Sequence, residues 1–181
     1  ENEGNLLRTV SISANGDYLV AGFYDDTVYF FNKNSSTPVW TYSLDDIVFS
    51  VDISADGEYI AAGSQDDKVY FFQKESSIPL WSYDVGSDVR QVSVSADGEY
   101  VAVAEQAGEV HLFHRESNNT LWSYSTNAGI VSVSISEDNQ YVVAGGLDDK
   151  VHLLNRDSGN LIWDYGESDS EIKSVAISAY A

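Results

Sequence analysis

Five positions in this chain share one register, and three of them carry cations. The five are Arg8, Phe49, Arg90, Val131 and Lys173, spaced 41, 41, 41 and 42 residues apart. A rim of cations in so acidic a chain could grip an acidic peptide, because guanidinium groups bind carboxylates. The competing reading is that the cations offset nearby Asp45, Asp46, Asp88 and Asp169. A second basic column, Lys33, Lys74, Arg115 and Arg156, repeats at 41 and reads as part of a solvated loop. His111 and His114 form an H-x-x-H pair. On a strand, a spacing of three puts them on opposite faces, so they do not share a metal. His111 and His152 share a column with Tyr29 and Tyr70, which points to packing.

The acidic pairs Asp25-Asp26, Asp66-Asp67 and Asp148-Asp149 read as turns. Calcium needs six to eight interleaved oxygens, as in a D-x-D-x-D-G loop, which is absent. There is no G-x-S-x-G, P-loop, H-E-x-x-H or G-x-G-x-x-G, and no cysteine nucleophile. A catalytic site usually breaks a repeat with one odd cluster or long loop; the loops here are nearly equal in length. The expectation is no enzyme, no cofactor and no metal. Asn34-Ser35-Ser36 and Asn118-Asn119-Thr120 are glycosylation sequons in exposed loops.

The elements that must carry these columns are repeated too. "SADGEY" stands at Ser54 and Ser95, with "SANGDY" at Ser13 and "SEDNQY" at Ser136. Trp40, Trp81, Trp122 and Trp163 are 41 apart, and apolar anchors precede each turn at Ile12, Ile53, Val94, Ile135 and Ile177. A period near 40 is the mark of a repeat architecture. Each unit predicts four strands, A to D. Strand A alternates apolar and small polar residues. Asn15-Gly16, Asp56-Gly57 and Asp97-Gly98 predict a tight hairpin whose central residues take positive φ. Strands B, C and D are apolar at consecutive positions, so both faces of each unit should be covered. Radial stacking of four-stranded antiparallel sheets meets that need. The expected fold is an all-β propeller of four blades plus one extra inner strand. Blade 1 spans 6–45, blade 2 46–86, blade 3 87–127, blade 4 128–169, and the extra strand 170–181.

"VSISANGDYLVAG" and "VDISADGEYIAAG" resemble the WD-repeat consensus, although Phe31-Asn32, Phe72-Gln73, Phe113-His114 and Leu154-Asn155 stand where the WD dipeptide belongs. The single tryptophan on strand D is similar to the docking motif of quinoprotein-like (PQQ-like) propellers, best in "LLNRDSGNLIW", Leu153–Trp163. The resemblance implies a propeller and a rim used for partners. It carries over no cofactor residue.

Composition bounds the partners. Nine basic against 29 acidic residues give a formal charge of -20. Such a surface repels nucleic acid and anionic lipid. No apolar run approaches the ~18–20 residues of a membrane helix. The acid excess suits a salt-rich or extracellular setting. The sequence starts at Glu1 without Met, so either processing has occurred or this is a piece of a longer repeat protein, the second being preferred. The reading is a non-catalytic scaffold for an unidentified protein or peptide that self-associates to close its ring, the other two ways of closure being a four-bladed ring within one chain and further blades in a longer chain. The alternative is a remnant of a quinoprotein-like enzyme or ligand sensor.

Overall fold

The computed structural model describes residues 6–167 and 170–178. Asp169 and residues 179–181 lie outside that range, and with them the ends assigned to blade 4 and to the extra strand.

Sixteen strands form four separate sheets, each with its strands side by side in chain order. The first sheet holds β1 (Leu7–Ile12), β2 (Tyr18–Phe23), β3 (Thr27–Asn32) and β4 (Trp40–Ser43). The second holds β5 (Val48–Ile53), β6 (Tyr59–Ser64), β7 (Lys68–Gln73) and β8 (Trp81–Asp84). The third runs from β9 (Val89–Val94) through β10 (Tyr100–Glu105) and β11 (Glu109–His114) to β12 (Thr120–Ser125). The fourth comprises β13 (Ile130–Ile135), β14 (Tyr141–Gly146), β15 (Lys150–Asn155) and β16 (Leu161–Gly166). All pairings are antiparallel. No helix occurs among the described residues, so none is long and apolar enough to cross a membrane. This is a propeller of four four-stranded blades.

The core lies between blades. Val20, Val28 and Phe30 of the first blade pack with Val48, Val51, Ile60 and Phe72 of the second. The next two seams repeat the pattern, with Phe71, Val92 and Phe113 in one and Leu112, Val133 and Leu154 in the other. Strands B and C of the two middle blades are buried on both faces, as their continuous apolar runs require, whereas β2, β3 and β15 of the end blades keep one face partly open. Strand D is different. In β4 and β8 half-buried and exposed residues alternate. Trp40 and Tyr42 point into a seam while Thr41 and Ser43 face water. The apolar residue before each tryptophan, Val39, Leu80 or Leu121, is exposed. The outermost strand of a blade therefore needs only one apolar face.

The A–B turn also departs from a two-residue hairpin. Gly16, Gly57 and Gly98 have φ of 71°, 78° and 69°, whereas Asn15, Asp56 and Asp97 are not left-handed. Ser13 N–H bonds Tyr18 C=O, and Gly16 N–H bonds Ser13 C=O, which closes a four-residue loop. The Asn or Asp acts through its side chain: Asp56 Oδ1 accepts Ser54 Oγ and Glu58 N. Asn139 fills the glycine position of the fourth copy at φ 58°, as asparagine can.

Candidate functional site

Inner strands β1, β5, β9 and β13 lie next to one another around a polar channel. Each has one edge with no strand beside it, so its N–H groups need other acceptors. The small polar residues of strand A supply them to the next blade. Ser50 Oγ accepts Val92 N at 3.2 Å, Gln91 Oε1 accepts Val133 N at 3.0 Å, and Ser93 Oγ accepts Ile135 N at 3.2 Å. Asp52 accepts Ser11 Oγ and Val94 N, both at 2.8 Å. Burial raises its pKa above the ordinary carboxylate value despite these bonds.

At one mouth of the channel, four of the five rim residues converge. The guanidinium carbon of Arg8 is 5.3 Å from the centroid of the Phe49 ring, and that of Arg90 is 4.9 Å from it. Arg8 also lies 5.8 Å from the Tyr24 ring. A recess of about 350 Å³ beside them is lined by Arg8, Arg90, Gln106, Ile130, Val131 and Leu147. Lys173 is not part of it; the lysine is exposed and pairs with Glu171.

The cations of the rim differ in one respect. Arg90 is held by Gln106 Oε1 and by Asp88 at 3.5 Å. Asp45 pairs with Lys68 instead, and Asp46 caps the Ile47 N–H. Arg8 has no carboxylate within ion-pair distance among the described residues, whereas the other eight basic residues each do. In a chain of charge -20, an exposed guanidinium left on two aromatic rings is free to take an external anion.

The second basic column is not merely solvated loop. Lys74 and Arg115 pair with Glu58 and Glu99 of their own A–B turns, and they stack over Tyr18 and Tyr59 of the preceding blade. Arg156 stacks over Tyr100 at 4.2 Å. Their backbone carbonyls accept the indole N–H of the preceding blade: Trp40 to Lys74 at 2.8 Å, Trp81 to Arg115 at 2.8 Å, Trp122 to Arg156 at 2.5 Å. These residues fasten neighbouring blades. The signal in the sequence was the shared 41-residue period of a donor and a cation.

The acidic pairs shape turns. Asp25, Asp66 and Asp148 accept the N–H two residues on, and Asp26, Asp67 and Asp149 take φ near 64°. The first acid of each pair also anchors a ring on strand C, half-buried at Tyr29 and buried at Tyr70 and His152. Tyr29 and Tyr70 donate to Asp25 and Asp66, and His152 Nε2 meets Asp148 at 2.8 Å. In the third blade Ala107 replaces that acid. Glu105, almost wholly buried, accepts Ala107 N and Glu109 N instead. His111 is buried with Nδ1 on Ser123 Oγ, and burial lowers its pKa. His114 lies partly exposed on the other face. Asn34 and Asn118 are both exposed.

Comparison with known proteins fits this geometry. A family model described as outer membrane protein assembly factor BamB, of the PQQ_2 type, matches residues 24–179. A second, described as WD domain, G-beta repeat, matches residues 2–32. No curated protein matches the chain. The first match covers most of the sequence, and with the four blades and docking tryptophans in place, the chain belongs to the PQQ_2 propeller-repeat family.

Proposed function

We propose that the chain is a non-catalytic propeller platform for protein contact, which self-associates to cover its end faces and grips an acidic peptide segment at the Arg8–Phe49–Arg90 rim. The observation that carries the rim reading is Arg8 itself: exposed, stacked on Phe49 and Tyr24, and without a carboxylate among the described residues. A rigid stack of blades fixes the recess, and a few anchors at its edge supply most of the binding energy. The test is fluorescence anisotropy with a labelled oligo-glutamate peptide. Arg8→Glu with Arg90→Glu should weaken binding at least tenfold, and added salt should weaken the unmodified protein in the same direction. Equal affinity before and after charge reversal removes the rim from the reading.

The ligand-sensor alternative draws on the family match. A planar anionic quinone calls for an aromatic plane and cations along the channel. The wall offers Thr9, Ser11, Ser50, Asp52, Gln91 and Ser93, which are hydroxyls, an amide and a carboxylate. An aromatic plane and cations stand instead at the mouth, at Phe49, Arg8 and Arg90, so this alternative competes for the same rim.

A further inference from the structure

The segment after the fourth blade sits where the inner strand of a fifth would sit. Ile172 N–H bonds Gly146 C=O at 3.0 Å, and Val175 N–H bonds Ser132 Oγ at 2.9 Å. The second bond repeats those that join Val92 to Ser50 and Val133 to Gln91. Ile172 and Val175 close on Gly145 as Val89 and Val92 close on Gly63, and a Cβ at either glycine would meet those side chains within about 3 Å. Residues 170–178 nevertheless form no ladder, because an inner strand needs a B strand beside it and none of the four is vacant.

At the other end, β1 holds that position against β2 with its apolar side bare. Leu7, Val10 and Ile12 are each more than half exposed. The outward face of the fourth blade is bare as well, with Trp163 at 47% and Tyr165 at 63% exposure. The two sequences match position for position: Leu7, Arg8, Thr9, Val10, Ser11, Ile12 against Ile172, Lys173, Ser174, Val175, Ala176, Ile177. Either segment can therefore lie on β2.

We propose that a second copy of this chain covers the fourth blade, and that Glu171–Ser178 replaces β1 of that copy on its β2, with Lys173 taking the register of Arg8 so that the rim keeps a cation beside Phe49. The proposal rests on the self-association reading and specifies its seam. The register of β1 on β2, Val10 opposite Ala21 and Ile12 opposite Leu19, gives the new pairs as Val175 with Ala21 and Ile177 with Leu19 of the second copy. The rest of the seam follows from the three internal ones. Trp163 donates to the Lys33 carbonyl of the second copy, as Trp81 does to Arg115. Its ring meets Phe31 there, as Trp40 meets Phe72 at 5.4 Å. Tyr141 covers Gly16, as Tyr18 covers Gly57 and Tyr59 covers Gly98; in the single chain a Cβ at Gly16 would meet nothing within 4 Å. Every group at one end thus has its complement at the other, which a partner of unrelated sequence would not supply.

The chain has no cysteine, so introduced thiols report only on each other. An Ala21→Cys chain is mixed with a Val175→Cys chain, oxidised, and resolved by mass spectrometry without reductant. Paired residues on adjacent strands are within disulfide reach. The mixed disulfide between the two chains should be the major oxidised species. The Leu19→Cys and Ile177→Cys pair repeats the test should Ala21→Cys fail to fold. Sedimentation of the unmodified chain runs alongside. A dimer without the mixed disulfide overturns the strand exchange and leaves self-association standing. A monomer at all concentrations overturns both. An intramolecular disulfide in the Ala21→Cys/Val175→Cys double variant overturns the exchange in favour of closure within one chain.

Discussion

Trp81→Phe isolates what holds one blade to the next. The indole stacks on Phe71 of its own blade, with centroids 5.1 Å apart, and on Phe113 of the next at 5.5 Å. Its Nε1 donates to the Arg115 carbonyl at 2.8 Å across the same seam. A phenyl ring keeps most of the stacking and removes the donor. The Arg115 carbonyl is then left in a partly buried seam, which costs about 1–3 kcal/mol. We expect about 2 kcal/mol lost for Trp81→Phe and about 3–5 kcal/mol for Trp81→Ala, where the stacking goes too. At a urea slope of about 2 kcal/mol/M, the first change moves the midpoint down by about 1 M. Trp163→Phe is the internal comparison. Trp163 makes no such bond among the described residues and is half exposed, so in dilute, monomeric protein it should cost less than about 0.5 kcal/mol. Urea unfolding followed by circular dichroism reads both. If Trp81→Phe proves as mild as Trp163→Phe, the carbonyl bond does not fasten the blades and the seam argument fails.

In dilute, monomeric protein, Gly57→Ala and Gly16→Ala should differ although both glycines are left-handed. Each pays about 1–2 kcal/mol for the backbone conformation, but a Cβ at Gly57 would also lie 2.5 Å from Tyr18 Cδ2, so thermal or urea unfolding should show the larger loss there. Asp52→Asn keeps an acceptor for Ser11 and Val94 while removing a charge that burial disfavours. The folded pKa is raised, so the favourable contribution of Asp52 is present below the ordinary value of 3.8 and lost as pH rises through the folded one. Asp52→Asn should therefore be more stable than the unmodified chain at neutral pH, with the gap closing as pH falls toward 3.8; a gap that does not change with pH contradicts this.

The repeat told the architecture because identical spacing leaves few ways to stack. Tryptophans and turns at 41-residue intervals demand identical blades, and the continuous apolar runs of strands B and C demand neighbours on both sides. What escaped the sequence depended on which blade a residue touches. Lys74 read as loop because its partners lie elsewhere: Tyr18 belongs to the blade before it, and the indole that seeks its carbonyl is Trp40. The turn escaped for a local reason. Asp-Gly is compatible with two loop lengths, and the choice is made by the Ser54 and Asp56 side chains, which bond the loop from within. The rim was legible as a column of residue types, but not as a set of unequal cations. Arg8 and Arg90 share a register and a ring. They differ because the residues that hold Arg90, the carboxylate of Asp88 and the amide oxygen of Gln106, have Leu6 and Tyr24 at their places in the first blade. A candidate site in a repeat protein is thus sought where equivalent positions stop being equivalent. Spacing alone cannot show that difference; the neighbours of each copy decide it.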